Sequence, residues 1–360
     1  MKVGYWDLFR CNFQAKLKMP NITTVEPIVL PPGLKTVSVP EQKVFDGKIF
    51  PLILTPDWDG ARDWNIWLKD NIQAVKDLLY KFGALLFRGF DIDTAKKFDD
   101  FCKTFDYEEY FFSGNFANRT PVVGHVFTAN DAEGRVIPFH HELVHSPEVP
   151  SAVFFFCEYP SKMDGETPIV LSNIVYREMA RKEPEFVRRL HQEEVSAIRV
   201  LPDADDIKSY LGTSWKSSFQ CKTREEAEKN AHATGHYDLE WQPDGSLRCK
   251  IRPVPGIRVD KKSGKAVFFN YVHTAYEGLN DRHNKDPKKA AIWKSTGECM
   301  PDEVMKNLKE ALWNNCVQLK WAAGDVMLID NIQVQHARND FSGPRRILCS
   351  MYKEEPMRML

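Results

Sequence analysis

The chain has no excess of charge of either sign. Its 49 lysines and arginines stand against 50 aspartates and glutamates, a formal net charge of -1. Proteins built chiefly to grip nucleic acid show a basic excess, so nucleic acid is not expected as the main partner. No apolar run approaches the length of a bilayer span, so no membrane partner is expected either. The opening Met1-Lys2-Val3-Gly4-Tyr5-Trp6-Asp7 lacks the continuous apolar segment of a secretory signal. Arg10, Lys16 and Lys18 leave an organelle transit peptide open, against which Asp7 and the absence of early serines weigh. The eight cysteines show no paired spacing. Reduced, mostly buried thiols and a cytoplasmic location are therefore expected. Internal repeats and low-complexity segments are absent too. What remains is an ordinary globular composition, 43% hydrophobic and 28% charged over 360 residues, enough to bury a sizeable core.

Prolines at 20, 27, 31, 32, 40, 51 and 56 mark residues 1–60 as an extended arm, with a short strand at 48–54. The helical period of Trp64, Trp67, Ile72, Val75, Leu78 and Leu79 predicts a helix over 63–82, ended by Gly83. A strand follows at 84–90, then a helix over 95–105 capped by Asp93. Strands are expected at 122–128, 152–157, 196–201, 215–219, 317–321 and 345–352, with a polar turn at 129–136. One amphipathic helix is expected over 174–193, a polar helix over 223–236 and another helix over 301–316. His232 and His236 read as surface residues of the polar helix. Short strands alternate with turns from Leu239 to Asn270. The pattern is mainly β with helical flanks: an arm at 1–60, then one domain over 61–360 built as a jelly roll.

The informative stretch is Pro138-Phe139-His140-His141-Glu142-Leu143-Val144-His145. Two metal readings compete for it. His140 and Glu142 are spaced i and i+2, which on a strand puts both on one face. With a distant histidine they would make the 2-His-1-carboxylate set that holds non-haem Fe(II) with positions open. Alternatively, His141-Glu142-Leu143-Val144-His145 matches H-E-x-x-H, the zinc hydrolase pattern. That pattern works only on a long helix, and Pro138, Pro147 and Pro150 break one here. The strand reading therefore leads.

A second stretch, Gly324-Asp325-Val326-Met327-Leu328-Ile329-Asp330-Asn331, continues to His336, Arg338 and Arg345-Arg346. Together with His140-x-Glu142, Gly165-Glu166-Thr167 and Trp215-Lys216-Ser217 it resembles the taurine dioxygenase (TauD/TfdA) family of Fe(II)/2-oxoglutarate oxygenases, clavaminate synthase-like branch, over residues 80–352. The resemblance implies a double-stranded β-helix, cupin-like core. It implies Fe(II) held by His140, Glu142 and His336, with 2-oxoglutarate and O2 as co-substrates. Arg346 would bind the far carboxylate of 2-oxoglutarate with help from Thr167, a guanidinium fork matching a carboxylate. Arg345, next along, is expected on the other face, while Asp330 and Asn331 shape the turn before His336.

Implied products are succinate, CO2 and a substrate that is hydroxylated, desaturated or closed into a ring, as in the kainoid synthases. A retained Glu142 argues against a halogenase, in which halide takes the carboxylate's place. The prime substrate is expected to be a small, carboxylate-bearing molecule derived from an amino acid. Arg338, Asn270 and His145 are the candidate substrate residues: Arg338 shares the face of His336, Asn270 ends an aromatic strand, and His145 sits at the expected mouth. A cupin-like binding protein that has lost catalysis is the alternative of another class. Oligomeric state is not legible.

Overall fold

The computed structural model describes residues 25–58, 63–111, 119–129, 136–146, 148–206, 213–233, 235–278, 282–284 and 290–354. Residues 1–24 of the expected arm, most of the 129–136 turn and Pro147 lie outside the described residues. At the centre is a nine-stranded sheet. Its path runs Leu34–Thr36, Leu52–Pro56, Ala84–Phe87, Val326–Asp330, Ala152–Tyr159, Arg346–Lys353, Val126–Thr128, Pro121–Val123, and Glu108–Glu109 pairs beside Arg346–Lys353. One pair, Leu52–Pro56 with Ala84–Phe87, is parallel.

Central strands of this sheet are apolar over most of their length, as in Ala84–Phe87 and Ala152–Cys157, because both faces are covered. On Ala152–Tyr159, Phe154 and Phe156 join a core under the helices Trp64–Phe82 and Ala95–Lys103. Their neighbours Val153, Phe155 and Cys157 join the core on the opposite face. That face meets a three-stranded sheet ordered Ile169–Leu171, Val334–Arg338, Ile137–His140. These two facing sheets form the jelly roll, with a cavity opening between them. A separate four-stranded sheet, ordered His236–Trp241, Leu247–Pro255, Glu194–Leu201, Ala291–Trp293, closes one end.

The Trp64–Phe82 helix begins where the Asp63 carboxylate accepts from the Asn65 amide, and Gly83 ends it at φ +78°. Several local expectations are corrected. The helix at 95 is capped by Thr94, whose hydroxyl accepts from the Lys97 amide, instead of by Asp93. The segment 174–193 is two helices, Ser172–Lys182 and Pro184–Gln192, because Pro184 cannot continue the first. Trp215–Phe219 is a short helix: the Ser214 hydroxyl accepts from the Ser217 amide and caps it. The polar helix ends at Ala233, and His236 is buried on the following strand. Beyond a single bridge of Val317 to Ile169, residues 317–321 do not pair as a strand.

No helix among the described residues is long and apolar enough to cross a membrane.

Candidate metal centre and its cavity

Strand register builds the centre. His336 on Val334–Arg338 lies directly across from His140 on Ile137–His140, a pairing that brings Cβ atoms within about 5.5 Å. The two imidazole centroids are 4.2 Å apart. The strand ends at His140, and a turn over 142–145 follows, with Leu143 at φ +52°. Glu142 thus reaches the histidines from a turn and not from the strand face expected for it. One ligand atom from each of His140, Glu142 and His336 lies within 4.8 Å of the others.

Hydrogen bonds prepare these groups. His140 Nδ1 donates to the Pro138 carbonyl at 2.8 Å, leaving Nε2 with its lone pair. Burial, with His336 beside it, pushes the His140 imidazole down to about 4, so the ring is neutral. Burial works to raise Glu142, but the Arg119 guanidinium and the two histidines override it and hold the carboxyl well below the usual range. Glu142 Oε2 accepts from Arg119 Nη2 at 2.9 Å and lies 3.6 Å from His336 Nε2. Two imidazole nitrogens and an ionised carboxylate, buried and convergent, are a donor set that fits a divalent iron.

The turn carrying Glu142 is pinned by Asn331, which is fully buried. Its amide Nδ2 donates to the carbonyls of Glu142 (3.0 Å) and Pro150 (2.8 Å), and its Oδ1 accepts from the Glu142 amide (2.7 Å). The Asn331 carbonyl accepts from His141 Nδ1 at 2.6 Å, while His141 Nε2 accepts from the Ser172 hydroxyl at 2.8 Å. Both nitrogens of His141 are therefore engaged in holding the fold. With no helix over 141–145 either, the H-E-x-x-H alternative has neither its geometry nor a free first ligand.

The triad lies on the wall of a cavity of about 250 Å³. Of the other residues singled out in the sequence, Thr167, Arg338 and His145 line this cavity. Burial, with Arg199 nearby, pushes His145 down to about 4. Thr167 Oγ1 accepts from Trp321 Nε1 at 3.2 Å. Asn270 is not among the lining residues. Its Nδ2 donates to the Gly256 carbonyl at 2.6 Å and its Oδ1 accepts from the Val272 amide at the start of the Val272–Gly278 helix.

The two neighbouring arginines are exchanged relative to expectation. Arg345, immediately before the strand Arg346–Lys353, is buried and lines the cavity with Ile347 and Cys349, whose parity it keeps. Arg346 points the other way, its Nε 2.7 Å from Glu158. Arg345 Nε donates to the Gly165 carbonyl at 3.0 Å. Gly165 sits at φ +80°, where a side chain is strained, and a Cβ there would press on Phe341 Cβ at 3.0 Å and Arg345 Cδ at 3.1 Å. The guanidiniums of Arg338 and Arg345 both lie over the Phe341 ring, at 5.2 and 5.3 Å. Sequence reasoning also missed Arg119 and Arg199, both on the cavity wall. Arg199 was detectable: it keeps the parity of the buried apolar residues Val195, Ala197 and Leu201 of its strand. Nothing in the sequence pointed to Arg119.

Comparison with known proteins agrees with this geometry. Residues 54–352 match the family model described as taurine catabolism dioxygenase TauD, TfdA family. A clavaminate synthase-like protein of Arabidopsis thaliana is 39% identical over 323 residues, covering 88% of this chain and 97% of its own length. The dapdiamide synthesis protein DdaC of Enterobacter agglomerans is 28% identical, covering 76% of this chain and 83% of its own. Among solved structures, AAD-2 in complex with Mn(II) and N-oxalylglycine shares the fold at a TM-score of 0.51 and 13% identity, covering 91% of this chain and 99% of that one. The chain accordingly belongs to the TauD/TfdA family, as an iron- and 2-oxoglutarate-dependent dioxygenase.

Proposed function

We propose that His140, Glu142 and His336 hold the Fe(II), and that Arg345, assisted by Thr167 and Arg338, binds the far carboxylate of 2-oxoglutarate. The substrate is a small molecule carrying a carboxylate, derived from an amino acid, and it is hydroxylated, desaturated or closed into a ring. The single observation that carries this reading is the convergence of the three ligands on the wall of a cavity that Arg345 also lines. Iron held there supplies a place where O2 and 2-oxoglutarate become succinate, CO2 and an oxidant for a C–H bond.

The protein's own contribution is positioning and exclusion. Asn331 fixes the turn that aims Glu142. Pro138 fixes the His140 tautomer. Phe155, Ile137, Leu143 and Val144 supply apolar wall around the triad, which keeps water from the reacting carbon. Arg338 lies over the same ring as Arg345, so it is assigned here to the co-substrate's end in place of the substrate role expected from its spacing. The relative named for dapdiamide synthesis supports a small-molecule product.

Metal analysis tests the ligand set. One Fe(II) per chain is expected, lost in His336→Ala and kept in His145→Ala. The reverse pattern would restore the zinc hydrolase reading. Screening amino acids and small acids for substrate-dependent succinate formation tests the reaction. A product heavier by one oxygen reports hydroxylation, and one lighter by two hydrogens reports desaturation or ring closure.

A further inference from the structure

Two threonines line the cavity, and their partners leave them with opposite capacities. A hydroxyl has one proton to give and two lone pairs with which to receive. Thr167 Oγ1 accepts from Trp321 Nε1 at 3.2 Å, and so keeps its proton for a further group. Thr274 Oγ1 donates to the Phe139 carbonyl at 3.0 Å. A carbonyl carries no proton, so the direction of that bond is fixed, and the capacity left to Thr274 is that of its lone pairs. Thr167 therefore suits an anion, in keeping with its assignment to the 2-oxoglutarate carboxylate. Thr274 suits a donor.

The fold keeps the two hydroxyls apart. In the three-stranded sheet, Thr167 leads into the strand Ile169–Leu171, and Thr274 bonds to the strand Ile137–His140. The His336 strand, Val334–Arg338, runs between those two. Phe139 immediately precedes His140, so Thr274 stands on the other side of the metal centre from Thr167. Tyr271, just before the helix Val272–Gly278, and Thr274 and Ala275 within it line the cavity at spacing i, i+3 and i+4. Ala275 offers a methyl group. The Tyr271 hydroxyl donates to the Arg252 carbonyl at 2.5 Å, in the four-stranded sheet. That leaves Thr274 Oγ1 as the polar side-chain atom this face sets against the His140 strand. A substrate that closes Thr274 off from solvent must supply a donor in exchange or leave a buried acceptor unpaired, and that difference selects between substrates.

We infer that Thr274 Oγ1 accepts a hydrogen bond from an N–H or O–H group of the prime substrate, and so selects substrates that carry such a donor. This rests on the iron and 2-oxoglutarate assignment above and adds to it a second recognised group besides the carboxylate. The Tyr271 ring and the Ala275 methyl supply the apolar surface next to the donor. Thr167 serves the co-substrate by giving a hydrogen bond, and Thr274 serves the substrate by receiving one.

The test uses the full-length protein loaded with Co(II) and saturating 2-oxoglutarate without O2, titrated by calorimetry. Each probe has a mate in which a methyl group replaces the donor. 4-Aminobutanoate and 4-hydroxybutanoate are paired with pentanoate, and succinamate with levulinate, so that an ammonium, a hydroxyl and a neutral amide are tried separately. At least one donor is expected to bind at least about fivefold more tightly than its mate. Thr274→Val, which keeps the branched shape, should bring that ratio close to one, and Thr274→Ser should keep it. A threonine that only tethered Phe139 would weaken donor and mate alike, leaving the ratio in Thr274→Val unchanged. That result overturns the assignment, as does a wild type that binds no donor better than its mate. It is also overturned if Thr274→Val loses Co(II) or 2-oxoglutarate, because the hydroxyl then acts on the metal centre through Phe139. Failure of the wild type to bind Co(II) or 2-oxoglutarate at all identifies the iron and 2-oxoglutarate assignment as the fault.

Discussion

Arg119 Nη2 donates to Glu142 Oε2 at 2.9 Å, and the same oxygen lies 3.6 Å from His336 Nε2. The carboxylate that completes the triad is thus already neutralised by a guanidinium before any cation arrives. Glutamate has one more rotatable bond than aspartate, and Arg119 removes the freedom that bond adds. Burial opposes the charge on Arg119, but Glu142 beside it raises its pKa, so the pair stays ionised.

Removing the guanidinium leaves a buried carboxylate without its partner, which costs about 3–5 kcal/mol. Arg119→Met should therefore lower the unfolding free energy of the metal-free protein by an amount in this range. Saturating Co(II) should recover much of the loss, because the ion takes over the neutralisation. Urea unfolding with and without Co(II) measures both, and equal stability of variant and wild type in the metal-free state would make the pair a bystander.

Arg345 and Arg346 make a paired comparison. Loss of a charge-assisted partner from a buried site costs about 2–5 kcal/mol. In Arg345→Ala the KM for 2-oxoglutarate should rise by orders of magnitude while Co(II) affinity holds. Among the described residues Arg346 is paired with Glu158, away from the cavity, and Arg346→Ala should leave that KM within about twofold. Equal effects of the two changes would contradict the strand parity observed here.

Asn331→Ala removes the partner of the Glu142 amide and of the Glu142 and Pro150 carbonyls at a fully buried position. Each group left without a partner costs about 1–3 kcal/mol. A markedly lower Tm is expected, with Co(II) affinity at least about tenfold weaker as the turn loosens. Wild-type Co(II) affinity in this variant would show that the turn holds Glu142 without the latch.

Acid should destabilise the metal-free protein through its buried histidines. Burial pushes His141 and His273 down to about 3 and His145 to about 4. An unfolded imidazole titrates near 6.5, so below that pH the unfolded chain binds protons that the folded chain refuses. Stability is complete above about pH 6.5 and declines as pH falls, by up to about 1.4 kcal/mol per pH unit for each histidine. Urea midpoints between about pH 7.5 and 5 read the slope above the carboxylate range. His273→Gln should make it shallower, and a flat profile in the wild type would contradict the neutral, buried assignment of these rings.

The sequence alone determined much of this protein, for local reasons. The period of Trp67, Val75, Leu78 and Leu79 with Asp63 and Gly83 at the ends specifies the long helix. Proline punctuation argues against a helix over 141–145, the spacing of His140 and Glu142 marks them as a pair, and His336 joins them in the sequence through the family resemblance. Other decisions belong to the tertiary structure. Alternation says that Arg345 and Arg346 face opposite ways, but which of those faces is the cavity depends on where the partner sheet packs. Asn270 reads equally well as a pocket anchor or a cap until the Val272–Gly278 helix is placed against it. Arg119 and Arg199 meet Glu142 and His145 only because strands and turns distant in sequence are folded onto one cavity. Period and spacing are properties of one element, whereas a charge at the centre is assigned by whatever the other elements bring beside it.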